Sequence, residues 1–150
     1  MKLAEALILR ADLQKRLEQL RQRLGASALV QEGEQPPEDP EDLLRELDQV
    51  TDQLEDLIAR INLTNAQAEK DGKSLTELLA RRDVLTQKIS VLRSLTEAAS
   101  KTVLRGSRME VKIRSTVDVA SLRRQCDDLS RDLRILDTAI QSANWLIDLR

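Results

Sequence analysis

Apolar residues recur at alternating steps of three and four along four separate stretches of this chain. A stripe with that period faces one side of a helix and needs partner helices to cover it. The first stripe is Leu3, Ala6, Arg10, Leu13, Leu17, Leu20, Leu24. The second is Leu43, Leu47, Val50, Leu54, Leu57, Ile61, Thr64. The third is Leu75, Leu78, Arg82, Leu85, Ile89, Leu92, Thr96, Ala99, Val103, and the fourth is Leu122, Cys126, Leu129, Leu133, Leu136, Ile140, Ala143, Ile147. The pattern predicts an all-α antiparallel bundle of two long helical hairpins with coiled-coil-like packing.

The two hairpins read as one unit written twice. Shifting the first stripe by 72 places Leu3 on Leu75, Arg10 on Arg82, Leu13 on Leu85 and Arg21 on Arg93. Shifting the second by 79 places Leu43 on Leu122, Asp48 on Asp127, Ile61 on Ile140 and Asn65 on Asn144. Any two heptad helices match at their leucines. The matched arginine within a stripe and the matched asparagine at a helix end go beyond that.

Local signals place the helices. The first runs from about Leu3 to Leu24, with Gly25 as its C-terminal cap. An acidic loop ending EGEQPPEDP follows, and Asp39-Pro40 starts a second helix reaching about Ala68. Lys70-Asp71-Gly72-Lys73 is a turn, and Ser74 with Glu77 forms a capping box for a third helix reaching about Leu104. Arg105-Gly106-Ser107 ends it, and Ser115 with Asp118 caps a fourth helix from about Val117 to Leu149. Between them Met109, Val111 and Ile113 alternate with charged residues, which predicts a short strand over 109–113. Its candidate partner is Ala28-Leu29-Val30-Gln31, forming a small β element at one end. That pairing would set the acidic loop (Glu32, Glu34, Glu38, Asp39) beside Arg105, Arg108, Lys112 and Arg114.

Composition narrows the function classes. The 150 residues read as a single domain, 1–150. Charged residues make up 33% with a net charge of −2, so the surface lacks the basic profile of a nucleic-acid binder. Histidine is absent, which removes the commonest general base and transition-metal ligand. No P-loop, GxGxxG, CxxC or GxSxG motif occurs, so no catalytic residue, cofactor or metal site is expected. Cys126 lies on a stripe as a small core residue, and a lone cysteine fits a reducing compartment. Met1–Arg10 does not read as a signal peptide, and the longest uncharged run, Thr138–Ile147, is too short to span a membrane. The expected location is the cytoplasm.

The polar residues on the stripes are the only candidates for a site. Arg10 and Arg82 stand where leucine is expected, and antiparallel counting puts Arg82 near Asn65 and Asn144. These four residues would form a small-anion or metabolite site. The preferred reading is structural: both arginines extend to water or pair with carboxylates such as Asp56, and so fix helix register.

Particular strings carry a resemblance. EALILRADLQKRLEQL (5–20), VQEG (30–33), INLTN (61–65), LTELLARRDVL (75–85), STVDVA (115–120) and IQSANW (140–145) span nearly the whole chain. In these it resembles an uncharacterised bacterial family, common in actinobacteria and often labelled septicolysin. The resemblance supplies no catalytic residue. Its label implies a pore-forming toxin, whose heptad stripes would turn from protein to lipid. From the residues themselves, the expected function is a non-enzymatic structural or interaction protein that self-associates, with no nucleic-acid partner and no membrane span. Apolar positions flanking the stripes, such as Leu44, Ile58, Leu79, Leu95, Ile135 and Leu146, widen them enough to bury a second subunit.

Overall fold

A computed structural model of the chain describes residues 1–101 and 112–150. The fold is all-α with a short β element. In chain order the elements are α1 (Leu3–Ala26), α2 (Pro40–Gln67), β1 (Glu69–Lys70), β2 (Lys73–Ser74), α3 (Leu75–Ser100) and α4 (Val119–Leu146). Two compact units are distinguished: Met1–Ser74 with Ser142–Arg150, and Leu75–Gln141.

In the first unit α1 and α2 lie antiparallel. Their alignment is marked by Arg16 Nη2 against Glu46 Oε1 at 2.7 Å and Arg23 Nη1 against Glu46 Oε2 at 3.3 Å. Leu3, Ala6, Leu13 and Leu20 from α1 are buried, as are Leu43, Val50, Leu57 and Ile61 from α2. Fully burying one leucine-sized side chain contributes about 1.5–3 kcal/mol, so these stripes supply the main stabilisation of the unit. Asp39 Oδ1 accepts the Glu41 N–H at 2.9 Å and Pro40 occupies the first helical position, as the sequence predicts. Gly25 behaves otherwise. It is helical within the last turn of α1, and the Ser27 N–H closes that turn on the Arg23 carbonyl at 3.1 Å.

The β element sits elsewhere than the sequence predicts. Residues 28–31 form no strand, and neither do Lys112 and Ile113; the rest of the predicted strand, 109–111, falls outside the described residues. The ribbon is instead β1 with β2, paired Glu69↔Ser74 and Lys70↔Lys73. Asp71 and Gly72 between them take φ values of 53° and 77°. Positive φ at both central residues is the requirement of a type I′ turn, which Asp-Gly meets with little strain, and its twist matches the strands it joins. Two residues suffice there, whereas pairing 28–31 with 109–113 has to close a far longer stretch of chain.

In the second unit α3 and the part of α4 up to Gln141 are also antiparallel. Arg82 Nη1 approaches Asp137 Oδ1 at 3.8 Å, Arg93 Nη2 donates to Ser130 Oγ at 3.3 Å, and Arg123 Nη2 to Ser100 Oγ at 3.5 Å. The predicted stretch of α3 over 102–104, with its stop at Arg105-Gly106-Ser107, falls outside the described residues. At the start of α4, Asp118 is the cap: its Oδ1 accepts the Ser121 N–H at 3.0 Å. Ser115 turns inward on its own loop, its Oγ accepting the Val117 N–H at 3.3 Å, so the predicted Ser115–Asp118 box does not form. The helix ends at Leu146 rather than Leu149.

The sequence repeat is a structural repeat. Adding 79 to the bounds of α2 gives the bounds of α4, and adding 72 to the start of α1 gives the start of α3. The helix entries correspond too: the Leu43 N–H bonds to the Asp39 carbonyl at 3.2 Å, and the Leu122 N–H to the Asp118 carbonyl at 3.0 Å.

Candidate functional site

Arg10, Asn65 and Asn144 belong to the first unit and Arg82 to the second. Arg10 and Asn65 are half-buried, and Asn144 is only 6% exposed. Arg82 is half-buried, spanning Asp83 Oδ1 at 3.1 Å and Asp137 Oδ1 at 3.8 Å. Asp56, a carboxylate considered for these arginines, instead meets Arg60 one turn along its own helix at 3.7 Å.

Sequence reasoning missed a charged cluster at the loop end of the first hairpin. Arg23 grips Glu38 through two bonds, Nε to Oε2 at 2.9 Å and Nη2 to Oε1 at 2.6 Å, and also reaches Glu46. Glu38 therefore pairs with α1 of its own hairpin; of the basic residues predicted beside it, Arg105 and Arg108 fall outside the described residues. The pairing with Arg23 holds the Glu38 carboxyl below the ordinary value of 4.5. The bond from Arg16, with lesser help from Arg23, does the same for Glu46. A carboxylate with a lowered folded-state pKa stabilises the fold fully above its unfolded value, and that contribution disappears as pH falls through the folded value. The melting temperature of the intact protein is thus expected to exceed that of Arg23→Gln at pH 7. The gap should narrow once pH drops below 4.5, the ordinary value for both carboxyls. Parallel melting curves down to pH 3 would remove the cluster from the account.

The second hairpin differs from the first at equivalent positions. Leu13, Leu20, Leu43, Val50 and Leu57 are buried, while Leu85, Leu92, Leu122, Leu129 and Leu136 are only half-buried. The reverse holds at Ile89, Thr96 and Cys126, which are buried where Leu17, Leu24 and Leu47 are not. The second hairpin closes on a line that includes the small side chains Thr96 and Cys126, and the displaced leucines edge towards the surface. Two open grooves run between α3 and α4. One, of about 470 Å³, is lined by Ile89, Leu133, Arg93 and Arg134 among others; the second, of about 430 Å³, includes Thr96 and Cys126. Outside this line Val84 and Val91 stand one heptad apart at 63% and 68% exposure, with Leu95 next along α3 and Ile135 on α4. Isolated apolar side chains on a surface are ordinary; here Val84 and Val91 form a short exposed row at heptad spacing beside half-buried leucines.

Among the described residues no group of three or more His, Cys, Asp or Glu side chains could hold a metal ion. No helix among them is long and apolar enough to cross a membrane. The fold defines a duplicated helical-hairpin protein. Residues 10–149 match the family described as "Family of unknown function (DUF6847)", and the chain belongs to that family. It is also similar to a solved crystal structure of a functionally unknown conserved protein from Corynebacterium diphtheriae. The two share 38% identity, the match covers 100% of this chain and 99% of that one, and the TM-score is 0.92. No curated protein matches the chain. Neither description carries the septicolysin label.

Proposed function

We propose that this protein is a non-enzymatic interaction protein that works as a self-associated assembly, with the α3–α4 face as its contact. The observation that carries the reading is the contrast between repeat-equivalent leucines, sealed in the first hairpin and half-open in the second. The size of the face supports it. A helix of 26 residues such as α3 is about 39 Å long. Two such helices side by side offer roughly 800 Å² of surface, what each partner buries in a standard interface. The charges support it as well, since Arg81, Asp83, Arg93, Asp132, Arg134 and Asp137 mix both signs along these helices, and a face of mixed charge can complement a second copy of itself.

Light scattering on a sizing column tests this. A stable multimer is expected across a hundredfold range of concentration, with Val84→Glu/Val91→Glu reduced to the 17.0 kDa chain while its helical content is kept. An intact protein that stays at 17.0 kDa throughout would overturn the reading. A second reading, in which the same apolar row meets lipid, follows from the septicolysin-type resemblance of the sequence strings alone. Dye release from liposomes that Val84→Glu/Val91→Glu abolishes would favour that toxin-like reading over self-association.

A further inference from the structure

The two ends of the chain meet. The Leu3 N–H donates to the Ile147 carbonyl and the Leu149 N–H to the Met1 carbonyl, both at 2.9 Å. Lys2 and Asp148 form an antiparallel bridge, and Lys2 Nζ reaches Asp148 Oδ1 at 2.8 Å and the Leu146 carbonyl at 3.1 Å. Arg150 is also held, its N–H on Thr64 Oγ1 at 3.1 Å and its carbonyl accepting from Arg60 Nε at 2.5 Å.

This clasp is the β1–β2 ribbon over again. Adding 79 takes Glu69 to Asp148 and Lys70 to Leu149; subtracting 72 takes Ser74 to Lys2 and Lys73 to Met1. The pair Glu69↔Ser74 therefore maps onto Asp148↔Lys2, and Lys70↔Lys73 onto Leu149 and Met1, which are hydrogen-bonded. The chain also leaves both preceding helices in the same way. The Ala68 N–H bonds to the Thr64 carbonyl at 2.8 Å, and the Ile147 N–H to the Ala143 carbonyl at 3.0 Å, again 79 apart. One ribbon is joined by Asp71-Gly72, and its counterpart has the same register without a covalent link.

We infer that the chain is a tethered pair of one self-complementary module. In each module the residues leading into the first helix (1–3 and 73–75) are a docking edge for the tail leaving the second helix of the other (68–70 and 147–149). The partner this edge recognises is another such hairpin, through a three-residue extended tail that directly follows a long helix. The Asp71-Gly72 link tethers two partners that recognise one another without it. The unlinked ribbon shows that the pairing holds with no turn to enforce it, and the backbone bonds, rather than any one side chain, carry the match.

The repeat makes the test sharp. In the linked ribbon two residues separate Lys70 from Lys73, and in the clasp Arg150 already fills the place of Asp71. One added glycine between Arg150 and Met1, with Arg150→Asp, recreates the Asp-Gly turn. A chain closed in this way and reopened between Asp71 and Gly72 is expected to keep its circular dichroism and its solution mass, and to melt within about 4 °C of the parent. A control closed identically and opened between Glu32 and Gly33, in the exposed loop, should fold as well. If the control folds and the Asp71/Gly72 opening does not, the tether is required and the inference fails. If neither folds, the ends do not superpose on the turn and it fails equally. Hydrogen exchange on the unaltered protein gives an independent reading. The Leu3 and Leu149 amides should be protected to the degree seen across β1–β2, and free exchange at both would overturn the proposal.

Discussion

Leu20→Ala is expected to destabilise the protein by about 2–5 kcal/mol, and Leu92→Ala, at the equivalent place in the repeat, by only about 1 kcal/mol in dilute solution. Leu20 is 0% exposed, whereas Leu92 is half-buried. Truncating a sealed leucine loses its transfer free energy and leaves a cavity that the neighbouring helix does not collapse into. Truncating Leu92 loses part of the transfer term, and water already reaches the site. Urea denaturation of both variants measures the difference. Repeating it at a hundredfold higher concentration adds a second reading. If copies associate through α3–α4, the cost of Leu92→Ala should rise with concentration while that of Leu20→Ala stays level. Equal costs in dilute protein would mean that the half-open leucines are sealed in solution.

Ile61→Ala and Ile140→Ala are expected to cost alike, about 2–5 kcal/mol each. These residues are also 79 apart, and both are 1% exposed. Each lies nearly two turns before the point where its helix gives way to an extended tail, so the expectation is that the two hairpins are equally tight at their tails and differ further along. A cost below about 1 kcal/mol at Ile140 alone would show that the repeat is one of backbone geometry without equivalent packing.

Much of this was legible in the chain. The heptad steps located four helices, Asp39-Pro40 started α2 at the residue found, and the shifts of 72 and 79 read from leucines, Arg10/Arg82 and Asn65/Asn144 also relate helix bounds and cap bonds. The ribbon was misplaced for a physical reason. Alternation in 108–114 is a side-chain signal, whereas β1–β2 is set by backbone geometry at Asp71-Gly72, which two-residue strands carry without alternation. The clasp gave no signal because Ile147 and Leu149 continue an apolar helix pattern, and only the opposing edge at Met1–Leu3 draws them into extended pairing. The difference in seam depth was equally hidden, since the same leucine spacing serves a closed hairpin and a half-open one. Of the polar candidates, Arg82 was found to reach Asp137 across the hairpin, a contact of surface strength that position in the repeat does not foretell.

Trp145 is the one tryptophan of the chain, and tyrosine and phenylalanine are absent. It is 56% exposed, at the penultimate position of α4, one residue before the carbonyl that Lys2 holds. Near-ultraviolet emission therefore comes from a single fluorophore beside the junction of the chain ends. Loosening of that junction should be visible in emission wavelength and quenching without any attached dye, while far-ultraviolet circular dichroism follows the four helices. The two signals together give separate optical records of end fraying and of global unfolding in one sample.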